Sequence, residues 1–64
     1  MTIDLLKYVG ETITAQLGDG RIKTGTVLKS SSKTYPCTFN SFSYTKDGTG
    51  YTQPNIVRII SVEQ

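Results

Sequence analysis

The segment Ile56-Val57-Arg58-Ile59-Ile60-Ser61-Val62 constrains this chain more than any other stretch. Ile56, Ile60 and Val62 read onto one face of a strand and Val57 and Ile59 onto the other, with only Arg58 and Ser61 interrupting. A strand that is apolar on both faces is one covered on both sides. The chain has 64 residues, 36% of them hydrophobic and only six aromatic. A chain this short buries only about 60% of the surface it exposes when unfolded, too little to cover both faces itself. Left open, such a strand is a template for aggregation, so pairing with a second copy is the economical expectation. The usual staples are missing as well. Cys37 is the single cysteine, which excludes an intramolecular disulfide, and there is no histidine for a zinc site. Small scaffolds without staples gain stability by assembling.

The same inventory excludes several classes of function. No apolar run approaches the roughly 20 residues of a membrane-spanning helix. Met1-Thr2-Ile3-Asp4 shows no basic segment followed by an apolar stretch, so no signal peptide is expected and a cytoplasmic location is the default. Without histidine, with one cysteine and with Asp4, Glu11, Asp19, Asp47 and Glu63 scattered, the common nucleophile–base pairs cannot be assembled. The sequence therefore predicts no enzyme, no metal, no cofactor and no small-molecule substrate.

The net charge is only +2, but it is unevenly spread. Arg21, Lys23, Lys29, Lys33 and Lys46 follow one another with no Asp or Glu between them, interleaved with Tyr35, Phe39, Phe42 and Tyr44. Two readings fit. The cations could meet phosphates while bases stack on the rings. Alternatively, lysines keep a strand's outer face wet while the aromatics fill the core.

Along the chain, residues 2–9 predict a short helix with Ile3, Leu6 and Leu5 towards one side, Thr2 as N-cap and Gly10 as terminator. From Thr12 the period changes to two, predicting a half-buried strand over 12–17 with Ile13, Ala15 and Leu17 on one face. Gly18-Asp19-Gly20 supplies a tight turn, and a second strand runs over 21–29. Gly25 in mid-strand marks a bend or a close approach, as a small barrel needs at its corner. After the loop Ser30-Ser31-Ser32-Lys33, a strand is expected over 34–45. Its parity shifts from Tyr35, Cys37 and Phe39 to Phe42 and Tyr44, which reads as a bulge at Asn40-Ser41. Pro36 must then occupy an edge or non-bonded position. Lys46-Asp47-Gly48-Thr49-Gly50 is a second turn, 51–53 a short strand, Pro54-Asn55 a corner, and 56–62 the last strand.

This order, a short helix and then five strongly bent strands, resembles the Sm-like fold of the Sm, LSm and Hfq proteins. Leu5 through Leu28 is similar to that family's first motif, with Asp19, Gly20 and Gly25 at the matching places, and Asn55-Ile56-Val57-Arg58-Ile59-Ile60 resembles the end of the second. Together these cover a little under half the chain. The resemblance implies an all-β fold with a short N-terminal α-helix, a five-stranded, strongly bent antiparallel barrel in one domain. It also implies a homo-oligomeric ring of about five to seven copies, in which the short fourth strand of one subunit pairs with the fifth strand of its neighbour. The family binds short single-stranded RNA at loops lining the pore and acts as a scaffold or chaperone rather than a catalyst.

Two departures bear on that implication. The loop between the second and third strands lacks the family's Asp, and Asn40 falls too late to serve as its Asn. Where the second motif carries Arg-Gly, this chain has Gln53-Pro54, so the guanidinium that stacks and binds phosphate is gone. The candidate RNA-binding residues are Lys33, Tyr35, Gln53 and Asn55. Tyr35 reads either as a stacking platform or as the start of a core series, and Gln53 and Asn55 either as base readers or as holders of a tight corner. The candidate subunit interface is Tyr51, Gln53, Ile56, Val57 and Ile59. Cys37 reads as a small buried hydrophobe. Arg58 either lines the ring, meets phosphate, or pairs with Glu11 or Glu63 of a neighbour. The alternative function is a structural or protein-interaction ring that has lost RNA.

Overall fold

The computed structural model describes residues 3–63. Its first element is a 3-10 turn over Leu5–Tyr8, shorter and tighter than the helix expected over 2–9. Asp4 is its N-cap, with extended backbone and Oδ1 accepting from the Leu6 amide at 3.2 Å; Thr2 lies outside the described residues. The Leu5 amide donates to the Lys46 carbonyl at 2.7 Å, tying this turn to the body of the molecule. Leu5 is accordingly the residue that is fully buried, and Leu6 stands outside. By Val9 the chain is extended again and bridges to Val27. Gly10 then takes a left-handed φ of 87°, which a glycine adopts without a steric penalty.

Five strands follow: β1 (Thr12–Leu17), β2 (Ile22–Lys29), β3 (Cys37–Phe39), β4 (Phe42–Tyr44) and β5 (Ile56–Glu63). They form one antiparallel sheet in the order β4-β3-β2-β1-β5, so β4 and β5 are its edges and the sheet is open. β2 is shared between the two halves, pairing with β1 over Ile22–Thr26 and with β3 over Val27–Lys29. Gly25 sits beside that handover. A Cβ there would come within 2.9 Å of Asn40 Oδ1 and 3.3 Å of its Cγ, so the close approach expected at this glycine is present.

The core holds Leu5, Ile13, Ala15, Leu17, Val27, Cys37, Phe39, Tyr44 and Ile56, with Ile3, Tyr8 and Ile59 packed against it. β1 contributes alternate residues, as its period predicts. β2 turns Lys23, Gly25 and Val27 inwards and leaves Ile22 and Leu28 exposed, because the residues facing them on β1 and β3 point away from the core. Thr12 and Thr26, and Thr14 and Thr24, pair their hydroxyls across the outer face at 3.0 and 2.8 Å.

Three expectations are corrected. The single strand over 34–45 is instead a hairpin: Asn40 and Ser41, with φ of 55° and 70°, turn the chain back so that Phe39 faces Phe42 and Cys37 faces Tyr44. Two consecutive positive-φ residues make the type of turn whose twist matches antiparallel strands, and a reversal, not a bulge, produces the parity shift. Residues 51–53 form no strand. Gly50 makes one bridge to Tyr44, and the chain then turns at once, with the Gln53 carbonyl so close that a Cβ on Gly50 would overlap it.

The faces of β5 differ too. Ile56, Ile59 and Val62 oppose Leu17, Ala15 and Ile13, while the register skips Val57 and Ile60. Two bulges thus set Ile56 and Ile59, three residues apart, against the core, while Val57, Ile60 and Val62 are 55%, 41% and 36% exposed. Among the described residues, no helix is long and apolar enough to cross a membrane.

Candidate functional site

The loop from Ser30 to Pro36 is shaped by its serines. The Ser30 amide donates to the Pro36 carbonyl at 2.8 Å and its hydroxyl to the Tyr35 carbonyl at 2.7 Å. Ser30 Oγ also accepts from the Ser32 amide, and Ser32 Oγ from the Tyr35 amide at 3.0 Å. These small side chains satisfy the backbone where no strand partner is present. Lys33 is held out at the tip, exposed and with no ion pair or hydrogen bond to a described residue.

Tyr35 does not continue the Cys37 and Phe39 series into the core. It is half-buried, with its ring set edge-on against that of Tyr51, the centroids 5.1 Å apart and the planes at 70°. This is a favoured aromatic geometry. Tyr51 is 65% exposed, and its amide donates to the Ser43 carbonyl at 3.0 Å, which anchors it beside β4. The pair therefore joins the β2–β3 loop to the β4–β5 connection and presents ring surface to solvent.

The β4–β5 connection is organised around Thr45 and Asn55. Thr45 Oγ1 accepts from the amides of Asp47 and Thr49, and the Thr45 carbonyl accepts from Gly48. Gly48 has φ of 90°, and its carbonyl receives the Ile56 amide at 2.7 Å. Asn55 Oδ1 accepts from the Gly50 amide at 3.2 Å, and its backbone carbonyl accepts from Gly18 at 2.8 Å. Of its two readings, the corner-holding one is where its side-chain oxygen is spent. Gln53 is half-buried beside a void of about 10 Å³ that it shares with Leu17, Lys23, Phe39, Asn40, Phe42 and Tyr44.

The four residues selected from sequence are thus divided. Tyr35 meets Tyr51, which was assigned to the interface; Gln53 and Asn55 belong to the corner; Lys33 stands at the loop tip. The Tyr35–Tyr51 pairing was missed because the two are 16 residues apart with no shared periodicity. The visible signal was a tyrosine in a Gly-Thr-Gly-Tyr-Thr loop, where no core series accounts for it. Among the interface candidates, Ile56 lies in the core, Ile59 and Gln53 are half-buried, and Val57 and Tyr51 are exposed.

The acid-free run of cations is likewise sorted by the fold. Arg21 Nε pairs with Asp19 Oδ2 at 3.2 Å, and Lys23 is half-buried. Lys29, Lys33 and Lys46 are exposed and unpaired among the described residues. Cys37 is fully buried; burial first, and the charge of Asp4 second, push its thiol pKa up, which disfavours the reactive thiolate. No cluster of His, Cys, Asp or Glu able to hold a metal ion occurs among the described residues. Compared with family models, curated proteins and solved structures, the chain matches none.

Proposed function

We propose that this chain is an Sm-like small barrel that assembles into a homo-oligomeric ring and binds single-stranded RNA as a scaffold, without catalysis. The observation that carries the RNA reading is the solvent-facing Tyr35–Tyr51 pair next to a loop whose lysine is unpaired. Bases of any identity can stack on such rings, and Lys29, Lys33 and Lys46 are free to meet phosphates. The ring reading is supported by the two open edges, β4 and β5, which leave backbone groups for a neighbour to pair with, and by the apolar side chains exposed on β5.

The test is fluorescence anisotropy with short U-rich and A-rich RNAs. Binding should weaken steeply with salt, and Tyr51→Ala should cost about 1–3 kcal/mol, the usual contribution of one base stacked on an aromatic ring. Absence of binding to either RNA at low salt would overturn the reading.

One observation favours the alternative, a ring that binds protein instead. The Asn55 side-chain oxygen is engaged in the corner by the Gly50 amide, so one of the residues placed to read a base edge has structural work to do. A partner protein retained after nuclease treatment would select that reading.

A further inference from the structure

We propose that the cleft between the 3-10 turn and β5 binds a mononucleotide, its phosphate held by Lys7 and Arg58 and its base lying against an apolar wall. The cleft has a volume of about 290 Å³, close to the lower end of small-molecule sites, roughly 300–1,000 Å³. Ile3, Asp4, Lys7 and Tyr8 form one side, and Val57, Arg58 and Ile59 the other. Three consecutive strand residues line one cleft because the bulge at Val57 breaks the alternation that would send neighbours to opposite faces. Ile3, Tyr8 and Ile59 pack against the core, so the floor is preformed.

The charges indicate the ligand. Lys7 and Arg58 are exposed, and neither forms an ion pair with a described residue. Two cations facing one space suit a doubly charged phosphate monoester, and the arginine fork can bind it through two N–H groups. Among the described residues Asp4 is the one carboxylate lining the cleft, and its Oδ1 is committed to the Leu6 amide. Its other oxygen remains an acceptor that repels an anion and favours an N–H donor. A ligand with a phosphate at one end, a flat apolar body and an amino group at the other matches this set. The site shares no residue with the Tyr35–Tyr51 surface, so the inference does not rest on RNA binding. Val57 and Ile59 also belong to the proposed assembly edge, and the experiment therefore uses the protein in its native assembly.

The test is amide chemical-shift titration of the assembled protein with AMP and CMP, with adenosine and inorganic phosphate as separate arms, and with RNA oligomers bearing a 5′-phosphate or a 5′-hydroxyl to distinguish a free nucleotide from a strand end. Saturating shifts at Lys7, Tyr8, Arg58 and Ile59 are expected with the nucleotides. Adenosine or phosphate alone should bind about tenfold more weakly or worse, and Lys7→Gln and Arg58→Gln should each weaken the nucleotide about tenfold, as loss of a hydrogen bond to a charged group does. Both residues are exposed, so the melting temperature of each variant should match that of the parent. Shifts that fail to saturate, that fall outside the cleft, or that survive both substitutions would overturn the proposal, as would inorganic phosphate binding as well as AMP.

Discussion

At Ser41 the backbone is left-handed, with φ of 70°, directly after Asn40 at 55°. Asparagine tolerates that region because its short side chain bonds locally, but serine does so at a steric cost of roughly 1 kcal/mol or more. Ser41→Gly creates the Asn-Gly pair that two-residue hairpins of this kind favour. It should raise stability by about 0.5–1 kcal/mol in urea titration without altering the slope, glycine's greater unfolded-state entropy offsetting part of the gain. Across the same hairpin, Cys37 and Tyr44 are register partners, and burial raises the pKa of both above their ordinary 9.0 and 10.0. The charges of Asp4 and Asp19 add to this in second place, respectively. A group whose folded pKa exceeds its unfolded value holds its proton longer in the folded chain. Its stabilising effect is whole below the unfolded pKa and is lost as pH rises through the folded one. Stability measured by thermal melts should therefore hold steady up to about pH 9 and fall above it. Cys37→Ala should flatten the first part of that fall, leaving the part due to Tyr44. An unchanged alkaline profile in Cys37→Ala would remove Cys37 from the explanation.

β5 is the element in which local pattern and tertiary register diverge. Its composition, Ile and Val at nearly every position, announces a strand, and its exposed Val57 and Ile60 bear out the inference that one copy leaves apolar residues uncovered. Because these two are the residues the register skips, replacing them should not disturb the core. Val57→Lys and Ile60→Lys are expected to change the stability of the isolated fold by no more than about 0.5 kcal/mol. A lysine on an exposed edge is a known device against strand pairing, so the same variants should lower the assembled mass seen by native mass spectrometry. If the mass is unchanged in both, assembly does not run through this edge. The contrast with β1 shows what a sequence can transmit. Ile13, Ala15 and Leu17 were placed correctly because nothing interrupts their period of two. In β5 two bulges each add one residue, so Ile56, Ile59 and Val62 share a face that strict alternation cannot group. The hairpin at Asn40-Ser41 hid for a related reason: a reversal and a bulge give the same parity shift, and only the φ angles separate them. The site was less legible still. Lys33 and the corner role of Asn55 follow from local chemistry, but the meeting of Tyr35 with Tyr51 is made by long-range folding.

For the molecule as a whole, the balance between a small core and open edges sets the expected behaviour in solution. Among the described residues nine form the buried core, and the single cysteine leaves no disulfide to restrict the unfolded chain. Domains of this size are marginal on their own. The two sheet edges, β4 and β5, lie on different strands, so a contact between them is head-to-tail and closes only as a ring or continues as a filament. If a ring supplies part of the stability, folding is linked to association, and the melting temperature must rise with protein concentration. A monomeric barrel, by contrast, melts at the same temperature at every dilution. Differential scanning fluorimetry across a hundredfold dilution that spans the association midpoint should thus show a falling melting temperature as the ring dissociates, a shift on the order of a few degrees for each kcal/mol lost. The Val57→Lys chain should melt at the dilute-limit temperature throughout. A parent protein whose melting temperature is independent of concentration down to the point at which mass spectrometry finds monomer would show that the fold needs no neighbour, and the exposed face of β5 would then require another explanation.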